Sequence, residues 1–536
     1  MLTPSAPAPE DYYQNNCLTL LSFVLERYSD LLTVDEQTHY RSYIDLSADG
    51  QRLVARLLTR KGPLFRIDNL NYREIHSIDR AVTELRSVGL VEINPDCAAD
   101  QLLATLRKDE LVSLDEAFGE FRKQRKQELV CSILNNRSDP QLRALIYQRF
   151  DLIHLTYPEA WSLALLLFFG EARGDWSTFV LSDLGRVEYE RVPLVSRQFD
   201  DRSQLDQTLV VLALNRLSHD LDGRDELAHE VLARLCDISG DRFVARRRDK
   251  SILRIAHHLE RSLAFEDALS AYGAVSRHPA RERQIRLLHK TGQEAEAEAL
   301  LEQAKATPYS EEESQFCERY RQRNRGFQPE TFTVTVDALD SDQSIEAQAL
   351  EVLVGEFDVK LGAHVENTLV RSLTGLCYWP VIFLDIPGAF TNPFQVGPND
   401  LYADDFFQAR ADQIIEFETS ISLPGALQEH IRSFAKDKHL KANGLVSWTL
   451  FDTLEIEQIL AAIPEDHIRA LTSFQIRRLP QFRTGLPDLF VVYADGRYEF
   501  IEIKGPNDQL QPVQRLWFKH FDQMNVPARV MKIKVA

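Results

Sequence analysis

Near its C-terminus the chain reads Gly485-Leu486-Pro487-Asp488-Leu489-Phe490-Val491-Val492-Tyr493, then Asp495-Gly496, then Glu499-Phe500-Ile501-Glu502-Ile503-Lys504. Asp488, Glu502 and Lys504 are the residue types that a divalent cation and an attacked phosphodiester require. Carboxylates hold Mg²⁺ or Mn²⁺ through oxygen, and such an ion activates water and neutralises developing charge. A lysine beside them steadies the scissile phosphate or orients the water. Two apolar β-type runs flank the Asp-Gly turn signal, so an antiparallel hairpin is expected. Side chains two apart on a strand share a face, which sets Phe500, Glu502 and Lys504 on one side and turns Ile501 and Ile503 to the core. The hairpin then carries Asp488 beside Glu502. Ile503, between the two charged residues, could lend its backbone carbonyl to the ion.

A Glu-x-Lys triplet taken alone is often the wet face of an amphipathic strand. The rest of the chain serves as its control. Asp358-Val359-Lys360 has no Pro-Asp shortly before it, and Pro95-Asp96 leads into Cys97-Ala98-Ala99-Asp100 rather than into a strand. Dipeptide, hairpin and strand pair coincide at the C-terminal set, which favours a nuclease.

Asp488, Glu502 and Lys504 resemble the PD-(D/E)XK nuclease signature, and GLPDL…EIKGPND with Gln514 on the following helix resembles its VRR-NUC branch. Gly362-Ala363-His364-Val365-Glu366, PFQVGPNDLYADDFF (393–407) and SADGQRLVARLLTRKGPLF (47–65) resemble the Fanconi-associated nuclease family. The likeness covers most of the chain and is weaker between about 140 and 330. The ubiquitin-binding zinc finger of eukaryotic members has no counterpart here, so a bacterial-type member is expected. The resemblance implies Glu366 as a further metal-site acid and Mg²⁺ or Mn²⁺ as cofactor. It also implies a 5′-flap endonuclease with 5′→3′ exonuclease action in interstrand cross-link repair. The partner would be branched or 5′-flap DNA, met as a monomer or weak homodimer, at the nucleoid in bacterial cytoplasm or in a eukaryotic nucleus. By spacing alone, Glu366 opens a helix, where an acid is usually a dipole-favoured surface residue. Gln514 could touch the substrate backbone or be an ordinary polar first-turn residue. His364 shows no ligand-spaced partner and is set aside.

The elements that must position these residues belong to a chain of 536 residues, long enough for two to four domains. No apolar run of about 18 residues exists to span a bilayer, so no membrane association is expected. Met1–Pro9 reads as a flexible tail rather than a signal peptide. Six cysteines without any Cys-x-x-Cys argue for reduced, intracellular thiols and against structural zinc. A net charge of −19 is unfavourable for DNA on average, but phosphate contacts are made by a face. Residues 241–290 carry a local +6 and residues 51–75 a local +4. Each basic run could also be a solvated helix face.

The fold class expected is multidomain. The N-terminal two-thirds should be mainly α-helical and the C-terminus an α/β PD-(D/E)XK domain. Residues 1–96 read as helices closed by a short strand pair, a winged-helix-like DNA-binding region. Residues 97–140 follow a SAP-like helix–loop–helix pattern whose Lys123, Arg125 and Lys126 would meet the DNA backbone. Residues 141–330 read as helical throughout and TPR-like. The similar segments at 259 and 287 lie 28 residues apart, short of the roughly 34 of such repeats. Arg281, Arg283 and Arg286 there could meet phosphate. Residues 331–536 form the nuclease region, with its core at about 445–536 and a strand expected before Asp488, at Phe474-Gln475-Ile476 or Phe482. Two other functions remain open: a Holliday-junction-type resolvase, and a non-catalytic DNA- or protein-binding scaffold with a degenerate nuclease domain. No Gly-rich phosphate loop appears, so no ATP-driven step is expected.

Overall fold

The computed structural model describes residues 12–60, 62–170, 188–240, 242–321, 327–336, 343–506 and 508–535. The expected N-terminal tail, Lys61 and part of the acidic linker after residue 336 lie outside them. No helix among the described residues is long and apolar enough to cross a membrane. The chain divides into two compact units, residues 1–187 with 197–202, and residues 188–196 with 203–536.

The first unit opens with helices Tyr12–Tyr28, Val34–Ile44, Ala48–Leu58 and Ile78–Ser87. Their starts are set by side-chain caps. Thr33 and Glu36 form a reciprocal capping box, and the Ser47 and Ser77 hydroxyls accept from Gly50 and Arg80 N–H. Three short strands complete this layer: β1 (Leu64–Arg66), β2 (Val91–Ile93) and β3 (Leu152–Leu155). β3 lies between β1 and β2 and is antiparallel to both, so the expected pairing of two local strands is replaced by a three-stranded sheet. The expectation of unbroken helix from 140 onward fails at the same place. Leu102, Leu106, Leu111, Phe118, Leu129 and Ile133 pack in one core with Leu64 of β1 and Leu152 of β3. The expected 97–140 module therefore shares its core with the sheet. Lys123, Arg125 and Lys126 are exposed around the start of helix Lys126–Asn136.

The N-terminal part of the second unit is helical, from Arg202–Leu217 and Asp225–Cys236 onward. Arg242–Arg261 packs on Phe265–Gly273, and Ala280–Lys290 on Glu294–Ala306, followed by Glu311–Arg319. From Thr331 the texture becomes α/β. Five strands, β4 (Thr331–Val336), β5 (Val359–His364), β6 (Leu489–Tyr493), β7 (Tyr498–Lys504) and β8 (Ala528–Val535), form one sheet in the order β4-β8-β7-β6-β5. β6 is antiparallel to both β5 and β7, whereas β8 runs parallel to both β7 and β4. The Asp495-Gly496 turn closes the β6–β7 hairpin as expected, with Gly496 at φ 88° and Tyr493 N–H donating to Arg497 O.

The strand beside β6 is β5. Phe474-Gln475-Ile476 instead lies inside helix Glu465–Arg477, and Phe482 is buried in no strand. The sheet therefore also takes in β4 and β5, which lie upstream of the expected 445–536 core and inside the expected 331–536 region. Both sheet faces are covered. Leu489, Val491, Ile501, Ile503 and Met531 pack with Ala349 and Leu353 of helix Ile345–Glu356. Phe490, Phe500 and Val530 pack with Leu373, Leu471 and Trp517 from helices Leu369–Cys377, Glu465–Arg477 and Pro512–Gln523. Phe500 thus lies in a second core rather than on a wet face.

Candidate metal centre and catalytic site

The three antiparallel strands place their chemistry at one edge of the sheet. Leu489 pairs with Ile501, so Asp488 enters β6 opposite Glu502 near the end of β7. His364 pairs with Leu489, and the Val365 N–H donates to the Asp488 carbonyl at 2.7 Å, which brings Glu366 to the same edge from β5. The Gly485-Leu486-Pro487 approach is held tightly. Gly485 sits at φ +86°, and a Cβ there would lie 2.7 Å from a Val513 methyl. Asn367, at φ 53°, accepts from Leu486 N–H and donates to Glu366 at 3.0 Å, tying the two acid-bearing loops together.

Asp488 is 8 % and Glu502 1 % exposed, which is rare for carboxylates without compensation. Asp488 Oδ2 accepts from Ile503 N–H at 2.7 Å. Glu502 Oε1 accepts from Lys504 Nζ at 2.8 Å and from Gln514 Nε2 at 2.5 Å. Its other oxygen, Oε2, is buried with no hydrogen-bond partner. Burial above all, helped by Glu366 and Glu346 and opposed by the Ile503 N–H and Lys504, holds the Asp488 carboxyl up at about 6. Burial and then Asp488 push Glu502 up to about 7, with Lys504 opposing. A second positive charge is what such a pair lacks.

The carboxylates gathered at this edge suit a hard divalent cation, with the imidazole of His364 beside them. Ligand atoms of His364, Glu366 and Asp488 all lie within 4.8 Å of one another, and the orphaned Glu502 oxygen adds a further anionic donor. His364, expected to be incidental for want of a ligand-spaced partner, stands within this cluster. The signal that could have found it is His364-Val365-Glu366, two acceptors two residues apart at a strand end. Glu346, in the first turn of helix Ile345–Glu356, also acts on Asp488, and nothing in its local sequence marks it.

Gln514 is brought to the site, but in a role different from the expected DNA contact. Its Oε1 accepts from Gln511 N–H at 2.9 Å while its amide donates to Glu502. Engaged in this way, Gln514 would position the Glu502 carboxylate. Gln514→Ala is expected to lower cleavage about tenfold at subsaturating metal and much less at saturating metal, as for groups that orient a ligand. Metal titration of the cleavage rate checks this; equal loss at all metal concentrations would mean a direct substrate role.

The basic helical residues are not brought to this site. Arg281 is 4 % exposed, forks onto Glu313 at 3.0 and 2.6 Å, donates to Thr307 O and covers the Tyr309 ring. It is consumed in a buried pair and is unavailable to phosphate, which corrects the expectation for that residue. Removing it would strand a buried Glu313 at a cost of about 3–5 kcal/mol. Arg283 pairs with Glu260 and Arg286 with Glu282, both partly exposed.

Two family models match the chain, "FAN1, HTH domain" over residues 11–92 and "VRR-NUC domain" over residues 424–534. It is 32% identical over 556 aligned residues to a Fanconi-associated nuclease 1 homolog of Pseudomonas aeruginosa, covering 99% of this chain and 97% of that relative. An Arabidopsis thaliana homolog is 26% identical, covering 99% of this chain and 68% of the relative. Among solved structures, paFAN1 bound to 2nt 5′flap DNA with gap superposes at a TM-score of 0.87 with 31% identity, covering 99% of this chain and 100% of that one.

Proposed function

We infer the function from the premise that the chain belongs to the Fanconi-associated nuclease family: it is a structure-specific DNA nuclease of flap substrates, acting in DNA repair and dependent on a divalent metal. Our finer reading is that Mg²⁺ or Mn²⁺ serves, that cutting of 5′ flaps is accompanied by 5′→3′ exonuclease action, and that interstrand cross-links are the physiological lesion. We further propose that one copy acts per flap, at the nucleoid of a bacterial cell. The observation that carries the site assignment is the buried, unpartnered Glu502 oxygen facing the same strand edge as Asp488.

In this reading Asp488, Glu502, Glu366 and the Ile503 carbonyl hold the ion, with His364 adjacent. When bound, the ion lowers the pKa of a coordinated water and offsets charge on the phosphate. Lys504, 11 % exposed and anchored on Glu502, supplies a fixed cation for the scissile phosphate. Gln514 keeps Glu502 turned toward the metal, and the Ile503 N–H fixes one Asp488 oxygen so that the other remains free. Phe490 and Phe500, on the same sheet face as the acids, belong to an apolar core that keeps this charge in a dry setting.

The test is purified full chain with Mg²⁺ or Mn²⁺ and labelled 5′-flap, 3′-flap, fork and four-way substrates. Selective 5′-flap cutting is expected. Symmetric paired cuts on the four-way substrate would point to a resolvase, and binding without cutting to a scaffold. Flap selection reads a junction rather than a base sequence, so phosphate contacts should dominate. We propose that exposed Lys123, Arg125 and Lys126, and more weakly the ion-paired Arg283 and Arg286, grip the duplex. Changing the three residues at 123, 125 and 126 to Gln is expected to reduce the log–log salt slope of binding by about 2–3, and Arg283→Gln with Arg286→Gln by about 1 or less. Fluorescence anisotropy across a salt series reads both, and an unchanged slope would make these faces merely solvated.

A further inference from the structure

A second cluster with ligand chemistry lies in the helical part of the second unit. His289 stands in the last turn of helix Ala280–Lys290, while Glu294 opens helix Glu294–Ala306 and Glu298 follows one turn later. The turn between the helices passes through Gly292 at φ +81°. Ligand atoms of the three side chains lie within 4.8 Å of one another.

The His289 side chain is only 5 % exposed. Its Nδ1 faces the Ile285 carbonyl at 3.1 Å and the Tyr320 hydroxyl at 3.0 Å. A carbonyl can only accept, so Nδ1 carries the ring hydrogen and a neutral ring presents the Nε2 lone pair on its far side. That lone pair meets two carboxylates, Glu294 Oε2 at 3.3 Å and Glu298 Oε1 at 3.4 Å. A lone pair directed at two anions is repulsive. Nε2 is buried and makes no hydrogen bond to either carboxylate. Arg321 neutralises the outer side, reaching Glu294 at 2.8 and 3.3 Å and Glu298 at 4.0 Å, but it leaves the nitrogen unanswered.

The distances suit a different occupant. With Zn–N and Zn–O bonds of about 2.0–2.1 Å, the edge of a ligand tetrahedron is about 3.3–3.4 Å. One imidazole nitrogen and two carboxylate oxygens are a borderline divalent donor set, and the Nδ1 hydrogen bonds to Ile285 and Tyr320 would fix the ring. We propose that His289, Glu294 and Glu298 form a second metal site, of the zinc class, that pins the turn between these two helices and is separate from the nuclease centre. A fourth position is left to water, and Arg321 would swing outward. The site contains no cysteine, so the absence of Cys-x-x-Cys does not bear on it.

Zn²⁺ itself is the probe. Bound equivalents on the full chain are counted by competition with a chromophoric chelator, comparing the unmodified protein with His289→Ala and with Glu294→Gln/Glu298→Gln. Both variants are expected to lose one Zn²⁺ equivalent while Mg²⁺-supported flap cutting is unchanged. The double variant alters two half-exposed side chains, so it keeps the test valid if His289→Ala misfolds. An equal Zn²⁺ count and affinity in the unmodified chain and the double variant would overturn the proposal.

Discussion

Asp488→Ala and Glu502→Ala are each expected to reduce 5′-flap cleavage by at least about 10³-fold, while flap affinity changes by less than about threefold. The two acids face one another across the β6–β7 hairpin, and neither can substitute for the other. Asp488 is fixed by the Ile503 N–H, and Glu502 is fixed by Lys504 and Gln514. Loss of either removes an anionic donor, and loss of Glu502 also removes the ion-pair partner of Lys504. DNA affinity should persist because phosphate contacts are spread over other surfaces. Glu502→Gln separates charge from shape: it should be as inactive as the alanine variant, although it can still accept from Gln514. Single-turnover cleavage with binding measured in Ca²⁺ reads both quantities. Retained cleavage by clean Asp488→Ala protein would place the reaction elsewhere on the molecule.

Cleavage at subsaturating metal should rise by about 10- to 100-fold between pH 5.5 and 8 as Asp488 and Glu502 lose protons, since a carboxylate must be deprotonated to bind. Their carboxyls are raised to about 6 and about 7. The sign for stability is opposite to that of an ordinary paired acid. The unfolded chain releases these protons near pH 4, and the folded metal-free chain releases them later, so the fold is favoured at low pH and loses that contribution as pH rises through about 4 to 7. At pH 8 in chelator, Glu502→Gln should therefore be more stable than the unmodified protein, by about 1 kcal/mol or more. That corresponds to about 2–4 °C in the unfolding midpoint. Added Mg²⁺ or Mn²⁺ should stabilise the unmodified chain and not the variant. A flat pH profile of metal affinity, or a destabilised Glu502→Gln, would show that the acids are not held in the apolar setting described.

The reactive hairpin was legible because its grammar is local. Alternation, an Asp-Gly turn and charged residues two apart are all contained within Asp488–Lys504, and the register followed from them. Glu366 could be reached only through family resemblance, because β5 and β6 are neighbours in space with more than a hundred residues between them. The strand expected at Phe474-Gln475-Ile476 failed for a different reason: apolar residues two apart inside an amphipathic helix imitate a short strand. β3 was missed because its partners β1 and β2 lie far upstream and its four residues sit among helices. Charge counting singled out Arg281 for DNA, yet its partner Glu313 lies on another helix, and the buried pair answers a packing need that composition cannot reveal. His364 is the one omission that the period-two rule applied to Glu502 and Lys504 would have corrected.

The position of β8 has a consequence for synthesis. It is the last of the five strands to leave the ribosome, yet it lies inside the sheet, joining β4 to β7 by two parallel ladders. Parallel pairing across such sequence distances is slow and cannot begin before the strand itself has been translated. Until then the hairpin that bears Asp488 and Glu502 lacks its inner neighbour, and the Phe500 and Ile501 backbones have no partner on that side. A chain interrupted before Ala528 therefore carries every acid of the centre without the scaffold that holds them in register. Such a fragment is expected to be inactive in the flap-cleavage assay.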